Sequence, residues 1–337
     1  MNKLVVVAGG AGYIGSHTVI KLCELGYEPI IIDNFSNSHK KTVDIVKNIT
    51  KKDIDCFDIN CSNYQELKDC LSKYKHIDAI FHFADLKSID ESFLNKNSYY
   101  ENNVLSLLSL LNISKDLSIK NFIYSSSCTV YGNQNSPMSE DLSFVKPESP
   151  YGHTKQIAEN IINLFYSENK DHSYVVLRYF NPIGAYKTGE IGEFSLKPNN
   201  NVMNSIFKAF FDKKEFVING SDYKTIDGTP VRDYIHVMDV ANSHIKCLEY
   251  ITKKKGICDY NIGTGNGVSV LQLLELFNKT LDVSIKYRFG DRRRGDAPEL
   301  YANCAKIYAE VGWKTEYNVE EALKHTLSWE INKKNII

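Results

Sequence analysis

Tyr151 and Lys155 stand four residues apart in a segment with helical periodicity, which stacks a phenol and an ammonium on one helical face. An ammonium beside a phenol favours the phenolate, and a cationic cofactor ring nearby favours it further, so the pair supplies a base near neutral pH. The YxxxK spacing alone is common. It gains meaning from the serine run Ser125, Ser126 and Ser127, and from a glycine-rich turn near the amino terminus. There Gly9, Gly12 and Gly15 follow the apolar run Leu4 to Ala8 and lead into Ser16 to Leu25, whose periodicity is helical. Such glycines allow a tight turn, close approach of backbone to a pyrophosphate, and close packing of helix on strand. The helix amino terminus offers the phosphates free N–H groups and the positive end of its dipole.

The elements that must position these groups follow from the next apolar runs. Pro29 to Ile32 reads as a second strand ending at Asp33, where a carboxylate suits the ribose hydroxyls of NAD and repels the 2′-phosphate of NADP. Asp53 to Asp58 and Ala79 to Phe83 predict further short strands, separated by a helix over Asn63 to Tyr74. Apolar positions Val104, Leu107, Leu108, Leu110 and Leu111 predict a helix over Asn102 to Leu117. Asn121 to Ser126 and Tyr174 to Tyr179 then predict two more strands. This alternation predicts an α/β fold, a doubly wound parallel sheet of Rossmann type with helices on both faces. Such sheets bind ligands beyond the carboxyl ends of their strands. Gly9, Asp33, Asp58, Phe83, Ser127 and Phe180 all fall at or just past those ends.

Beyond residue 180 the pattern becomes irregular, without a repeat or a low-complexity tether. Residues 1–180 are expected to form the dinucleotide-binding domain, and residues 181–337 mainly a smaller, mixed substrate lobe with excursions back to the sheet.

A chain of 337 residues with net charge −1 is long enough for a large α/β domain with an attached lobe, and its basic runs are too short and scattered for a nucleic-acid partner. Its eight cysteines lack paired spacing, and its nine histidines form no ligand-like cluster, so no structural metal and no disulfide framework are expected. No apolar run approaches the length of a membrane helix. A cytoplasmic protein is the expectation.

The blocks Gly9-Gly10-Ala11-Gly12-Tyr13-Ile14-Gly15-Ser16-His17, Asp33-Asn34, Ser125-Ser126-Ser127-Cys128-Thr129-Val130-Tyr131-Gly132, Ser149-Pro150-Tyr151-Gly152 and Arg178-Tyr179-Phe180-Asn181-Pro182 closely resemble the UDP-glucose 4-epimerases. These belong to the extended short-chain dehydrogenase/reductase superfamily. The match continues through Asp227-Gly228-Thr229, Val231-Arg232-Asp233-Tyr234-Ile235-His236-Val237 and Arg293-Arg294-Gly295-Asp296, so it spans nearly the whole chain. The resemblance implies resident NAD, a UDP-sugar substrate, a homodimer, and inversion of an alcohol carbon through a ketone.

By that resemblance Tyr151 is the base, Lys155 lowers its pKa and bonds the nicotinamide ribose, and Ser127 hydrogen-bonds the reacting oxygen. The implied NAD contacts include Tyr13 and Ile14 of the glycine turn, and Asn34, Phe35, Ser36, Asn37 and Ser38 after the second strand. They continue through Ile59 beside Asp58, through Ala84, Asp85, Leu86 and Lys87 after Phe83, and to Asn102. Substrate contacts are implied for Lys87, Asn181, Asn201, Val202 and Tyr234, for Asp296 at the uridine ribose, and for Leu300 on the wall near the sugar's C2 substituent. Arg232 and Arg293 are expected to clamp the diphosphate, since guanidinium presents a fork of donors to phosphate.

The chain departs from the family pattern at several points. Ala8 stands where threonine is usual, Asp85 and Asp90 where glycine is frequent, and Asn219 where phenylalanine is common. Asp85 is expected either to repel the pyrophosphate or to bond a ribose hydroxyl. Leu300 is smaller than tyrosine, which extends the expectation to UDP-GlcNAc and UDP-GalNAc. A sugar-nucleotide dehydratase or decarboxylase would use the same Tyr and Lys, but a dehydratase typically adds an Asp-Glu pair where this chain has Cys128-Thr129. A non-catalytic dinucleotide sensor would keep the glycine turn and discard the base.

Overall fold

The computed structural model describes residues 3–196 and 201–336. The amino-terminal half runs β1 (Lys3–Ala8), α1 (Tyr13–Glu24), β2 (Tyr27–Asp33), α2 (Lys41–Thr50), β3 (Cys56–Asp58), α3 (Tyr64–Leu71), β4 (Ala79–His82), α4 (Ile89–Leu94), α5 (Lys96–Asp116), β5 (Asn121–Ser127), α6 (Pro150–Glu168) and β6 (Ser173–Tyr179). The remainder runs β7 (Asn181–Ile183), α7 (Val202–Asp212), β8 (Phe216–Asn219), β9 (Val231–Arg232), β10 (Tyr234–His236), α8 (Val237–Ile251), β11 (Ile257–Ile262), β12 (Val268–Ser269), α9 (Val270–Leu281), β13 (Tyr287–Gly290), β14 (Glu299–Leu300), α10 (Ala305–Val311) and α11 (Val319–Ile336).

Seven strands make one parallel sheet in the order β11-β6-β5-β4-β1-β2-β3. Side chains of a strand alternate between the faces of a sheet, and β1 is apolar from Leu4 to Ala8 because both faces are covered. Val5 and Val7 enter one hydrophobic cluster, with Val19 and Ile20 of α1 and Ile245 and Leu248 of α8. Val6 and Ala8 enter the other, with Leu107 and Leu110 of α5 and Ala158 and Ile162 of α6. The doubly wound architecture expected from the sequence is therefore the one observed.

The sequence underestimates how much of the carboxyl-terminal half returns to this sheet. β11 pairs with β6 from Ile257↔Tyr174 to Ile262↔Tyr179, and α8 packs on α1. The rest builds smaller sheets, β10-β7, β12-β9-β14 and β13-β8, around a third cluster containing Ile206, Phe207, Leu274 and Phe277.

Strand order reverses between β1 and β4, since β2 and β3 extend one way from β1 and β5, β6 and β11 extend the other way from β4. A sheet that changes direction leaves a crevice outside its strand ends at that point. Gly9, just past β1, faces Phe83 and Ala84, just past β4, across it.

Candidate active site

The crevice begins at the glycine turn. Gly9 adopts φ +79°, a left-handed conformation that glycine tolerates, and donates its N–H to the Ile32 carbonyl at 2.7 Å. A Cβ at Gly9 would lie 2.7 Å from the Phe83 carbonyl carbon, so the two strand ends meet with no room for a side chain. Gly12 caps α1 without a side-chain acceptor, and no acidic residue lies in the first turn. The leading N–H groups of α1 are thus open to an anion, with Tyr13 and Ile14 in that turn.

Asp33 closes the next side. Its Oδ2 accepts the Ala11 N–H at 3.0 Å, while Oδ1 accepts from the Phe35 N–H at 2.9 Å and from the Ser38 hydroxyl at 2.8 Å. Burial raises this carboxyl above the usual range, and those hydrogen bonds oppose the rise. Three of roughly four lone-pair positions are filled, which leaves one for a ribose hydroxyl. Asn34 Oδ1 accepts from the Ser36 N–H at 3.1 Å, and Asn37 Oδ1 accepts from Ser195 Oγ at 2.9 Å, so the loop is held from both within and across the crevice. Asp58 is exposed, beside half-buried Ile59, and pairs with Lys40 at 2.7 Å. The glycine cradle and this carboxylate fit a dinucleotide.

The segment Ala84 to Lys87 forms the floor. Asn102 donates to the Ala84 carbonyl at 3.3 Å. Its neighbour Asn103, which the sequence reading passed over, grips Leu86 on both sides: Oδ1 accepts the Leu86 N–H at 2.8 Å and Nδ2 donates to the Leu86 carbonyl at 3.0 Å. In sequence Asn103 is one of two adjacent asparagines ahead of Val104, and the buried face of α5 also carries Ser106, Ser109 and Ser114, so no signal singled it out. Lys87 reaches Glu193 at 2.6 Å.

Ser149 sets the start of α6 by accepting the Gly152 N–H at 3.1 Å, with Pro150 at the first helical position. This puts Tyr151 and Lys155, both buried, against the end of β5. Lys155 Nζ lies 5.7 Å from the centre of the Tyr151 ring. The ammonium donates to Asp85 Oδ2 at 2.5 Å, to the Ser125 carbonyl at 2.5 Å and to the Tyr124 hydroxyl at 3.2 Å. All three of its N–H groups are therefore engaged. Burial alone would pull Lys155 down, but Asp85 and Tyr151 outweigh it and the ammonium is held above the ordinary lysine range. The carboxylate and the Tyr124 phenol were not expected as partners, because nothing local in the sequence announces a contact across 70 and 31 positions. Ser127 Oγ accepts from the Thr129 N–H at 3.2 Å and hydroxyl at 3.0 Å, which leaves its own proton to donate.

In the carboxyl-terminal half, Asn181 Oδ1 and Tyr234 OH are buried with no hydrogen-bond partner among the described residues, as is Tyr223 OH, a residue the sequence did not single out. Unsatisfied buried polar atoms are costly, and Asn181 and Tyr234 are partners across the paired strands β7 and β10. The expected phosphate clamps carry carboxylate partners: Arg232 bonds Asp296, and Arg293 bonds Asp90 at 2.6 Å. Asn201 caps α7 by accepting the Asn204 N–H at 2.8 Å and donates to Glu193 at 2.7 Å, with half-buried Val202 next to it. Leu300 packs with Phe180, Cys128 and Tyr131.

The model of the NAD dependent epimerase/dehydratase family matches residues 5–263. Over 333 residues, 98% of each chain, the protein is 39% identical to the UDP-glucose 4-epimerase of Bacillus subtilis (strain 168). It is also similar to the solved UDP-glucose 4-epimerase of Bifidobacterium longum in complex with NAD+ and UDP, with TM-score 0.95 and 36% identity over 99% of this chain and 100% of that one. A UDP-Glc/GlcNAc 4-epimerase from Campylobacter jejuni aligns with TM-score 0.84 and 30% identity, covering 98% of this chain and 100% of that one.

Proposed function

The chain belongs to the NAD dependent epimerase/dehydratase family, and on that premise we propose that it interconverts UDP-glucose and UDP-galactose by inverting C4 of the hexose through a 4-keto sugar. The observation that carries this reading is the continuity of the site: Gly9 abuts Phe83 and Ala84, the next residue Asp85 grips Lys155, and Lys155 stands beneath Tyr151.

NAD, when bound, supplies a hydride acceptor that is restored in the same cycle. The Tyr151 oxygen takes the proton of the C4 hydroxyl and returns it after the sugar has turned over. Ser127, with its proton free, donates to the same oxygen. The unsatisfied atoms of Asn181 and Tyr234 receive the sugar nucleotide. Arg232 and Arg293 exchange carboxylate partners for the diphosphate, which holds the nucleotide while the hexose rotates. On this reading residues 1–180 serve NAD and residues 181–337 mainly serve the UDP-sugar, with β11 and α8 lent back to the sheet.

Leu300, smaller than tyrosine at the wall assigned to the C2 substituent, supports acceptance of UDP-GlcNAc and UDP-GalNAc as well. A cytoplasmic homodimer completes the reading, supported by exposed Leu105 and Leu164 on the packed helices α5 and α6. Incubation of purified protein with UDP-galactose, without added reductant, tests the activity. UDP-glucose is expected, whereas a stable keto product would identify a dehydratase and no product a sensor.

A further inference from the structure

We propose that Asp85 is a positioning residue for Lys155: its carboxylate fixes the ammonium beneath Tyr151 and cancels most of its charge, so that the catalytic helix presents an ion pair and not a lone cation. The side chains of Lys155 and Asp85 are 3% and 5% exposed, so the pair is screened from solvent and each charge is a large perturbation on its surroundings. The Tyr124 hydroxyl donates to the same Asp85 Oδ2 at 3.0 Å, which ties the carboxylate to β5. Ser125 of that strand supplies the second fixed acceptor of the ammonium, so Lys155 is held at both points by rigid elements.

No other cation competes for Asp85 among the described residues around it. His82, at the end of β4, has Nε2 3.7 Å from Asp85 Oδ1, but burial lowers it to about 4 and it is neutral at physiological pH. Cys61, Tyr124, Tyr151 and Tyr179 are the other titratable groups that sense this region, and burial raises Cys61, Tyr124 and Tyr179. Glu159, the remaining carboxylate on this stretch of α6, is taken up by Arg178 of β6 at 2.8 Å. Asp85 Oδ1 is itself buried without a hydrogen bond, so the carboxylate keeps one acceptor unused even in this grip. A glycine at this position, as the resembling family often carries, leaves the ammonium with only the Ser125 carbonyl and the Tyr124 hydroxyl. In this chain the carboxylate of Asp85 supplies the third acceptor and the balancing charge.

The inference rests on the proposed NAD-dependent reaction only for its kinetic consequence. The test compares wild type with D85N, K155M and D85N/K155M by thermal unfolding, and wild type with D85N by the pH profile of kcat/KM. D85N keeps the shape and removes the charge, so it leaves a buried ammonium uncompensated. Its unfolding midpoint is expected to fall by at least about 5 °C, and the double variant is expected to recover most of that loss. With the ammonium's field no longer cancelled, the phenolate is favoured and the acid limb of the pH profile moves to lower pH by about one unit. Additive midpoints, or an acid limb that does not move, would overturn the proposal. Should D85N not accumulate as folded protein, recovery of folded protein in the double variant supports the pair, and failure to recover it refutes the pair. NAD released from wild type by acid is measured in parallel: its absence with no epimerase turnover would sink the proposed function, while the unfolding cycle would still decide the role of Asp85.

Discussion

Gly15 lies so close to Gly9 that a Cβ on the former would sit 2.2 Å from the carbonyl oxygen of the latter. The start of α1 is thus pressed onto the turn that follows β1, and that closeness brings the helix amino terminus to the dinucleotide crevice. Gly15→Ala must push the two apart. It is expected to weaken NAD binding by more than about tenfold, read by calorimetric titration; unchanged affinity would show that the turn does not hold the phosphates.

Tyr151→Phe removes one oxygen and keeps the ring packed beside Lys155. The fold and NAD binding should survive, while kcat falls by roughly 10²- to 10⁴-fold. Turnover at the wild-type rate in this variant would remove Tyr151 from the chemistry.

The N-acetylated sugars test the wall formed by Leu300. Leu300→Tyr should lower kcat/KM for UDP-GlcNAc relative to UDP-glucose by on the order of tenfold or more. Because Leu300 also packs with Phe180 and Tyr131, the ratio of the two substrates is the informative quantity. A ratio equal to that of wild type would place the C2 substituent elsewhere.

Acid should destabilise this protein earlier than its carboxylates alone would dictate. Burial lowers His17, His82 and His244 to about 4 and His236 to about 3, so each stays neutral in the native state while the unfolded chain takes up protons below about 6.5. Stability present above that point is lost as pH falls toward 4, by roughly 3 kcal/mol per histidine. Asp239 opposes this, since burial raises it to about 6 and its contribution grows as pH falls below that value. Burial also raises Asp33, Glu140 and Asp233, and these carboxyls act in the same direction as Asp239; the four histidines are expected to outweigh them between pH 7 and pH 5. Urea midpoints should therefore drop between pH 7 and pH 5, and a rise over that range would contradict the assignment of these histidines as buried and neutral.

The parts of this molecule that were legible in sequence are those written in short, local patterns. The strand, glycine turn and helix from Leu4 to Leu25 were readable because apolar periodicity and phosphate-compatible glycines lie within one βα unit. Tyr151 and Lys155 were readable because helical spacing alone puts them on one face. What sequence did not reveal depends on contacts between remote positions. The pairing of Asp90 with Arg293 bridges 203 positions, and that of Lys87 with Glu193 bridges 106. Neither has a local signature, since a lone charge reads as solvated surface. β11 was missed for a related reason: Ile257 to Ile262 contains Asp259 and Asn261, which break the apolar run and find their partners only in the assembled protein, Asp259 in Lys306 and Arg178, and the Asn261 side chain in Tyr131 and the Met138 and Asn303 carbonyls.

The position of β11 also constrains how the polypeptide is made. Until residues 257–262 leave the ribosome, β6 offers an unpaired rim and α1 lacks the cover of α8, so the nucleotide-binding half waits for a segment synthesised about eighty residues later. A fragment ending near residue 180 would expose both surfaces at once, and it should accumulate in inclusion bodies and not as an independent NAD-binding module.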